Sequence, residues 1–303
     1  MSLPHPPPPG AWKRLRKNPV AMVAMAVLAF VIFLAIFGPL IFHTNPHATS
    51  KAQFQPPSAK YLFGTDNNGR DSFGRVLEGA RISLLVGFCG AMINLIIGTI
   101  YGLISGYAGG RVDGLMMRFI EILYAIPRLI LLIIFTAVFD KHFKTWLTAH
   151  GFLELVGYSK IIILIVTLGA IEWLTMARIV RGQVLVLKNL QFVAAARALG
   201  QSHARILFRH LLPNLAGIVI VYLTLTIPAV ILDESFLSFL GLGINAPQAS
   251  WGSLLSDGAQ VINPVKSYWW LLVFPAIVMS ATLLALNFLG DALRDALDPK
   301  ARR

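Results

Sequence analysis

The chain has 303 residues, of which 56% are hydrophobic and 13% charged, with a formal net charge of +12. A soluble domain carries about 25% charged residues, so a single large soluble core is excluded and a polytopic membrane protein is expected. The basic residues are spread over terminal and interhelical segments rather than gathered with aromatics on one face, which excludes nucleic acid as the expected partner and makes them topology determinants on a lipid bilayer.

Residues 1–19 read as a cytoplasmic tail. The opening MSLPHPPPPG is an extended proline tract. Trp12 with Lys13, Arg14, Arg16 and Lys17 then marks a membrane edge. The apolar segment 20–42 is longer than a signal core, and no small-residue cleavage site follows it. It spans a hydrocarbon core of about 30 Å as a helix.

Residues 43–80 are polar, rich in turns, and lie outside by alternation. They include the run FGTDNNGRD, residues 63–71. Its clustered Asp and Asn invite a calcium reading, but the spacing and distal Glu of an EF-hand are missing. A capped turn entering a short helix fits better.

A transmembrane domain is expected over 81–290. Its first helix, the second span, covers 82–107, with the single Cys89 as a core residue; one cysteine permits no internal disulfide. Gly98, Gly102 and Gly106 recur every four residues and form a small-residue face for helix packing in lipid. The third span covers 115–139, with Arg118 and Glu121 placed to pair. Arg128 follows Pro127 at depth, where an arginine costs about 2.5–3.5 kcal/mol on insertion scales and faces protein or water. It is a candidate for lining a translocation path and meeting a substrate carboxylate; the alternative is a structural partner or a snorkelling side chain. An outer loop over 140–159 leads to the fourth span, 160–177, near whose inner end Arg178 is placed to neutralise Glu172.

The segment QFVAAARALGQSHARILFRHLLPN, residues 191–214, falls between apolar blocks. No acidic residue occurs between Glu172 and Asp233, while Arg178, Arg181, Lys188, Arg197, Arg205 and Arg209 do. This basic loop is cytoplasmic by the Lys/Arg rule. Phe192, Ala195, Ala196 and Leu199 give one apolar face at helical spacing. Gly200 ends a first short helix, Ser202 caps a second running to about Leu212, and Pro213 opens the next span. Such a pair either lies on the lipid surface or docks a partner.

The fifth span covers 215–232, with Pro228 as a kink. Asp233 and Glu234 open a Gly- and Pro-interrupted outer re-entrant or interfacial segment over 234–258, and act as gate or structural groups; Glu234 is a second candidate for the path. Tyr268, Trp269 and Trp270 form an interfacial aromatic belt before the last span, 269–289, and residues 291–303 form an amphipathic cytoplasmic tail. With six spans and both ends inside, sixteen Lys/Arg fall inside and nine outside. No Walker loop, H-E-x-x-H or G-x-S-x-G occurs, so no enzyme and no bound cofactor or metal is expected of this chain itself.

Four blocks carry a resemblance. Ala194-Ala195-Ala196, three residues, Gly200, nine residues, then His210-Leu211-Leu212-Pro213 is similar to the Glu-Ala-Ala loop of ABC importer permeases, with Ala194 for the usual Glu and His210 for the usual Ile. FGTD-x-x-GRD, FLSFLGLG…P…SWG and LRDALDPK resemble signatures of the C-type permeases of dipeptide and oligopeptide importers. The resemblance runs from about residue 18 to the end. It implies an all-α permease of the type I importer class, six transmembrane helices, and a coupling helix at Ala194, Ala195, Ala196, Gly200, His210, Leu212 and Pro213. It also implies a second permease subunit, two cytoplasmic ATPases that bind ATP and Mg, an extracytoplasmic binding protein and a peptide substrate in a bacterial inner membrane. Nickel and glutathione importers share the branch. A proton-coupled peptide carrier is the rival class, with Glu121, Glu172, Asp233 and Glu234 as its candidate proton carriers.

Overall fold

The computed structural model describes residues 11–262 and 266–297. The proline tract and the last six residues of the tail, including the end of LRDALDPK, lie outside the described residues. Within them the chain is helical, and the β geometry is a single bridge between Thr65 and Asp71.

A short basic helix α1 (Ala11–Lys17) leads into α2 (Pro19–Ile41). The Asn18 side chain accepts hydrogens from the Val20 and Ala21 amides at 3.0 and 3.2 Å, and Pro19 needs no acceptor at the first turn. Leu15 of α1 is buried against Ala292 and Ala296, so the N-terminal segment rests on the end of the last helix.

Helix α3 (Ser72–Ala108) starts ten residues before the expected 82 and ends close to the expected 107. The polar stretch expected as an outer loop is helical from Ser72 because Asp71 caps it, accepting from Phe73 and Gly74 amides at 3.2 and 3.3 Å. Burial pushes the Asp71 carboxyl above its usual range, and those two amides oppose the shift. The polar Arg75 is compatible with burial because Asp66 and Asp257 hold its guanidinium at 2.9 and 3.2 Å. The FGTDNNGRD run is thus a salt-bridged knot in which Asp66 also holds Arg70 at 2.7 Å.

The third span is not one helix. It consists of α4 (Gly110–Tyr124) and α5 (Arg128–Ala149), bent by 84° at the break. Pro127 is the last residue before α5, and its missing amide explains the interruption. The expected outer loop over 140–159 is mostly helix: α5 continues to Ala149, and a four-residue α6 (Leu153–Val156) precedes α7 (Ser159–Leu187). After α8 (Gln191–Ala198), residues 203–239 run as one helix: α9 (His203–Arg205), a π-helical segment (Ile206–Leu211) and α10 (Leu212–Phe239). The expected breaks at Leu212 and at Asp233 are absent. Only beyond Phe239 does the chain leave the helix, before α11 (Trp251–Gln260) and α12 (Trp270–Leu297). Among the described residues, five helices are long and apolar enough to cross a membrane, and the bent α4–α5 pair makes up to six.

The glycine stripe sets the packing. A Cβ on Gly98 would lie 2.6 Å from Met176 Cβ, on Gly102 2.5 Å from the Ala177 carbonyl, and on Gly106 2.8 Å from Val184 Cβ. Gly169 answers from α7, where a Cβ would meet Ile93 Cβ at 2.6 Å. Backbones of α3 and α7 therefore approach as closely as small residues allow in lipid. Gly102→Leu should destabilise the purified chain by about 1–3 kcal/mol through overpacking, read as a lower thermal midpoint in detergent. Gly114→Leu, at a site with nothing within 4 Å, should leave the midpoint unchanged.

Candidate functional site

Two regions stand apart from plain helix packing: the helix pair at one end of the bundle and a charge cluster inside it. The helix pair is built from its caps. Gly200 sits just past α8 at φ +71°, where a side chain would be strained. The Gln201 amide donates to the Ala196 carbonyl at 3.1 Å and the Gly200 amide to Arg197 at 2.9 Å, the two bonds of a Schellman end. Ser202 then accepts weakly from the Arg205 amide at 3.4 Å. His210 Nε2 and Gln201 Oε1 lie 2.8 Å apart, which fastens the turn to the π segment. That segment ends directly before Leu212 and Pro213; Pro213 offers no amide to the preceding turn, and a widened turn relieves the mismatch.

The pair is rooted in the bundle. Val193 and Ala196 pack with Ile206, Leu211 and Leu215 into the same core as Leu103, Val180 and Val184. Tyr107 at the end of α3 contacts the loop twice: its hydroxyl lies 2.9 Å from His203 Nδ1, and Arg197 stacks over its ring at 5.2 Å. Lys188 donates to the Gly106 carbonyl at 2.6 Å.

The apolar face differs from the expected one. Val193 and Ala196 point inward, whereas Ala194, Ala195 and Leu199 are exposed, Leu199 to 80%. The expected face of Phe192, Ala195, Ala196 and Leu199 is thus divided: Ala196 is buried and Phe192 half-buried against the core that holds Ile206 and Leu211, while Ala195 and Leu199 lie on the outer surface. Phe208, exposed to 57%, joins that surface beside Arg205 and Arg209. Periodicity had no means of identifying Phe208, because the π segment shifts its register relative to an α-helix.

The charge cluster lies at the α4–α5 break. Arg128 donates through Nη1 to Glu172 Oε1 at 2.5 Å and through Nη2 to Asp233 Oδ1 at 2.6 Å. Glu172 is the fourteenth of the 29 residues of α7, which puts the pair near mid-helix. The Arg128 side chain is 48% exposed, Glu172 12% and Asp233 8%. A cavity of about 190 Å³ borders Arg128 and Glu172, with Tyr124, Pro127 and Thr175 in its wall. Arg178, the expected partner of Glu172, instead covers the Tyr124 ring at 4.2 Å. The Arg118–Glu121 pair forms at 3.4 Å on an exposed surface.

Glu234 is next in sequence to Asp233 but faces elsewhere. It has no exposure, and its carboxylate accepts from Ser83 at 2.8 Å, Ser238 at 2.7 Å and Ser235 at 3.4 Å. Ser83 in turn accepts from the Trp251 amide at 3.2 Å and Ser238 from the Ile244 amide at 3.0 Å. The carboxylate therefore knots α3, α10, the following loop and α11 together, and is not brought to the Arg128 cluster. A second ion pair also escaped the sequence reading: Arg181 of α7 grips both oxygens of Asp113 in α4 at 2.6 Å. The signal for the Arg128 cluster was the set of charges in or next to the expected spans, read together rather than singly.

Long apolar helices, a capped basic helix pair at one end and charges paired at depth define an integral membrane transport subunit. The comparisons identify the family. Residues 98–303 match the family of binding-protein-dependent transport system inner membrane components, and residues 10–57 match the N-terminal transmembrane domain of oligopeptide transport permease C. The chain belongs to this family of ABC transporter permease subunits. It is 46% identical over 97% of its length to the dipeptide transport system permease protein DppC of Bacillus subtilis, covering 86% of that protein. It is 43% identical to the oligopeptide transport system permease protein OppC of Bacillus subtilis and 44% to that of Haemophilus influenzae, over 96% of this chain and 90% and 88% of theirs. A solved inward-facing MetNI methionine ABC transporter chain aligns with 74% of this chain and 94% of its own, at 20% identity and a TM-score of 0.49.

Replacing Glu234 by Leu should remove the acceptor of buried hydroxyls and destabilise the chain by on the order of 3 kcal/mol. Glu234→Gln, which keeps an acceptor oxygen, should cost less. Thermal midpoints of the two purified variants check the order.

Proposed function

We propose that the chain is the C-type permease subunit of an ATP-driven bacterial importer of short peptides. Support for the substrate comes from the dipeptide and oligopeptide permeases named above. The observation that carries the coupling role is the folded helix pair of residues 191–213, whose outward surface combines small alanines, Leu199 and Phe208 with arginines. In this reading Ala194, Ala195, Ala196, Gly200, His210, Leu212 and Pro213 form the coupling loop. The inward-facing Ala196 roots it in the bundle, while Ala194 and Ala195 are the positions at which an ATPase groove approaches closely.

The assembly then holds a second homologous permease and two cytoplasmic ATPases, which bind the ATP and Mg that this chain does not, together with an extracytoplasmic binding protein. Both termini and the helix pair lie in the cytoplasm, and the FGTDNNGRD knot and α11 lie outside. Closure of the ATPases moves the helix pair. The continuous helix beyond it carries that motion towards Asp233 and Glu234, and α7 carries it past Glu172.

Purification of the chain in mild detergent from its native membrane should bring a second permease and P-loop ATPases with it. A chain that runs alone would overturn the reading. Ala195→Arg places bulk and charge on the outer face and should abolish ATPase association while leaving the permease pair intact. Gly200→Leu forces a left-handed residue out of its conformation; uptake should fall by roughly tenfold or more, since a small misplacement of a coupling element propagates. Peptide uptake with reconstituted complex measures it.

A further inference from the structure

We propose that the Arg128–Glu172–Asp233 cluster is a site that takes the primary ammonium group of the transported substrate, a deepening that rests on the peptide-import reading above. Two carboxylates face one guanidinium, so the ionised cluster carries one uncompensated negative charge. The surplus sits near mid-helix, where a charge faces protein or a water-filled cavity rather than lipid. Arg128 is half exposed and Glu172 borders the adjoining cavity, so the cluster is open on one side.

A second observation points the same way. The Asp233 side chain is more than nine-tenths buried, one oxygen is bonded to Arg128, and the other has no hydrogen-bond partner among the described residues. A buried carboxylate oxygen left without a donor is an arrangement short of one donor. An ammonium group supplies three donors and the missing positive charge together.

The same geometry argues against a substrate carboxylate here. Both arms of the Arg128 fork are occupied by this chain's own acids. A substrate carboxylate would have to displace one of them and would raise the cluster to two uncompensated negative charges at low dielectric. An ammonium displaces nothing: it enters beside Glu172, whose carboxylate then bridges it and Arg128.

The test uses the complete transporter in proteoliposomes, with the binding protein saturated in turn by trialanine, N-acetyl-trialanine and trialanine amide. Saturation removes the binding protein's own preference from the comparison. The wild type should import trialanine and its amide at similar rates and the acetylated peptide roughly tenfold or more slowly, as loss of a close charge pair implies. Glu172→Gln and Asp233→Asn should each narrow that ratio, by slowing the free-amine peptides and not the acetylated one. The wild-type comparison stands even where a variant fails to assemble. Equal import of acetylated and free peptides by the wild type would overturn the proposal. So would slowing of the amide rather than the acetylated form, or an equal loss for all three peptides in assembled variants. If none of the three enters in an ATP-dependent way, the peptide-import reading itself falls, and the site with it.

Discussion

The close approach of α3 and α7 is the constraint on which the remaining arrangement depends. In lipid, apolar side chains gain little by leaving the solvent, so helices associate through shape and through polar contacts. Gly98, Gly102 and Gly106 put no side-chain atom of their own between the α3 backbone and the Met176–Val184 stretch of α7. Once those backbones are in contact, Tyr107 and Lys188 stand at the same end, and the loop between α7 and α8 is bonded to α3 rather than free in solution. At the opposite end the same pairing leaves Ser83 of α3 free to bond Glu234 of α10. The glycine stripe thus positions both ends of the bundle without containing a functional group.

Charge is used in three distinct ways within this scaffold. Around Asp66, two arginines neutralise a loop acid and fix the entry into α3. Around Glu234, hydroxyls alone satisfy a fully buried carboxylate, which suits a permanent joint because no side chain there has to move to change partner. Around Arg128 the partners are ionic, partly open, and drawn from three helices, α5, α7 and α10. That last arrangement is the one able to change with the relative positions of helices, since each of its bonds crosses a helix boundary.

Much of this was legible in the sequence wherever a local rule decides the outcome. The glycine spacing, the Gly200 stop and the Ser202 cap follow from one residue's stereochemistry or from a fixed period. Helix ends set by tertiary partners were not legible. Ser72 begins α3 because Asp71 and the Arg75 ion pairs make a polar stretch helical, and Asp233 stays in α10 because Arg128 offers it a counter-charge. The partners of Arg128 were visible only as separate acids, 44 and 105 residues away in sequence. The expected apolar face of α8 proved to be divided, with Ala196 buried and Ala195 and Leu199 exposed, since a short amphipathic stretch does not say which side another helix will cover.

The unbroken run from His203 to Phe239 has a mechanical meaning. At about 1.5 Å per residue, its 37 residues make a rod of about 55 Å. Tilting such a rod by about 10° around its middle displaces each tip by about 5 Å in opposite directions. The bond between Arg128 and Asp233 is 2.6 Å long and lies towards one tip, with the exposed Phe208 near the other. A tilt that leaves the rod itself straight is therefore large enough to exceed the reach of the Arg128–Asp233 hydrogen bond. The rod works as a see-saw whose travel is matched to the length of a single contact.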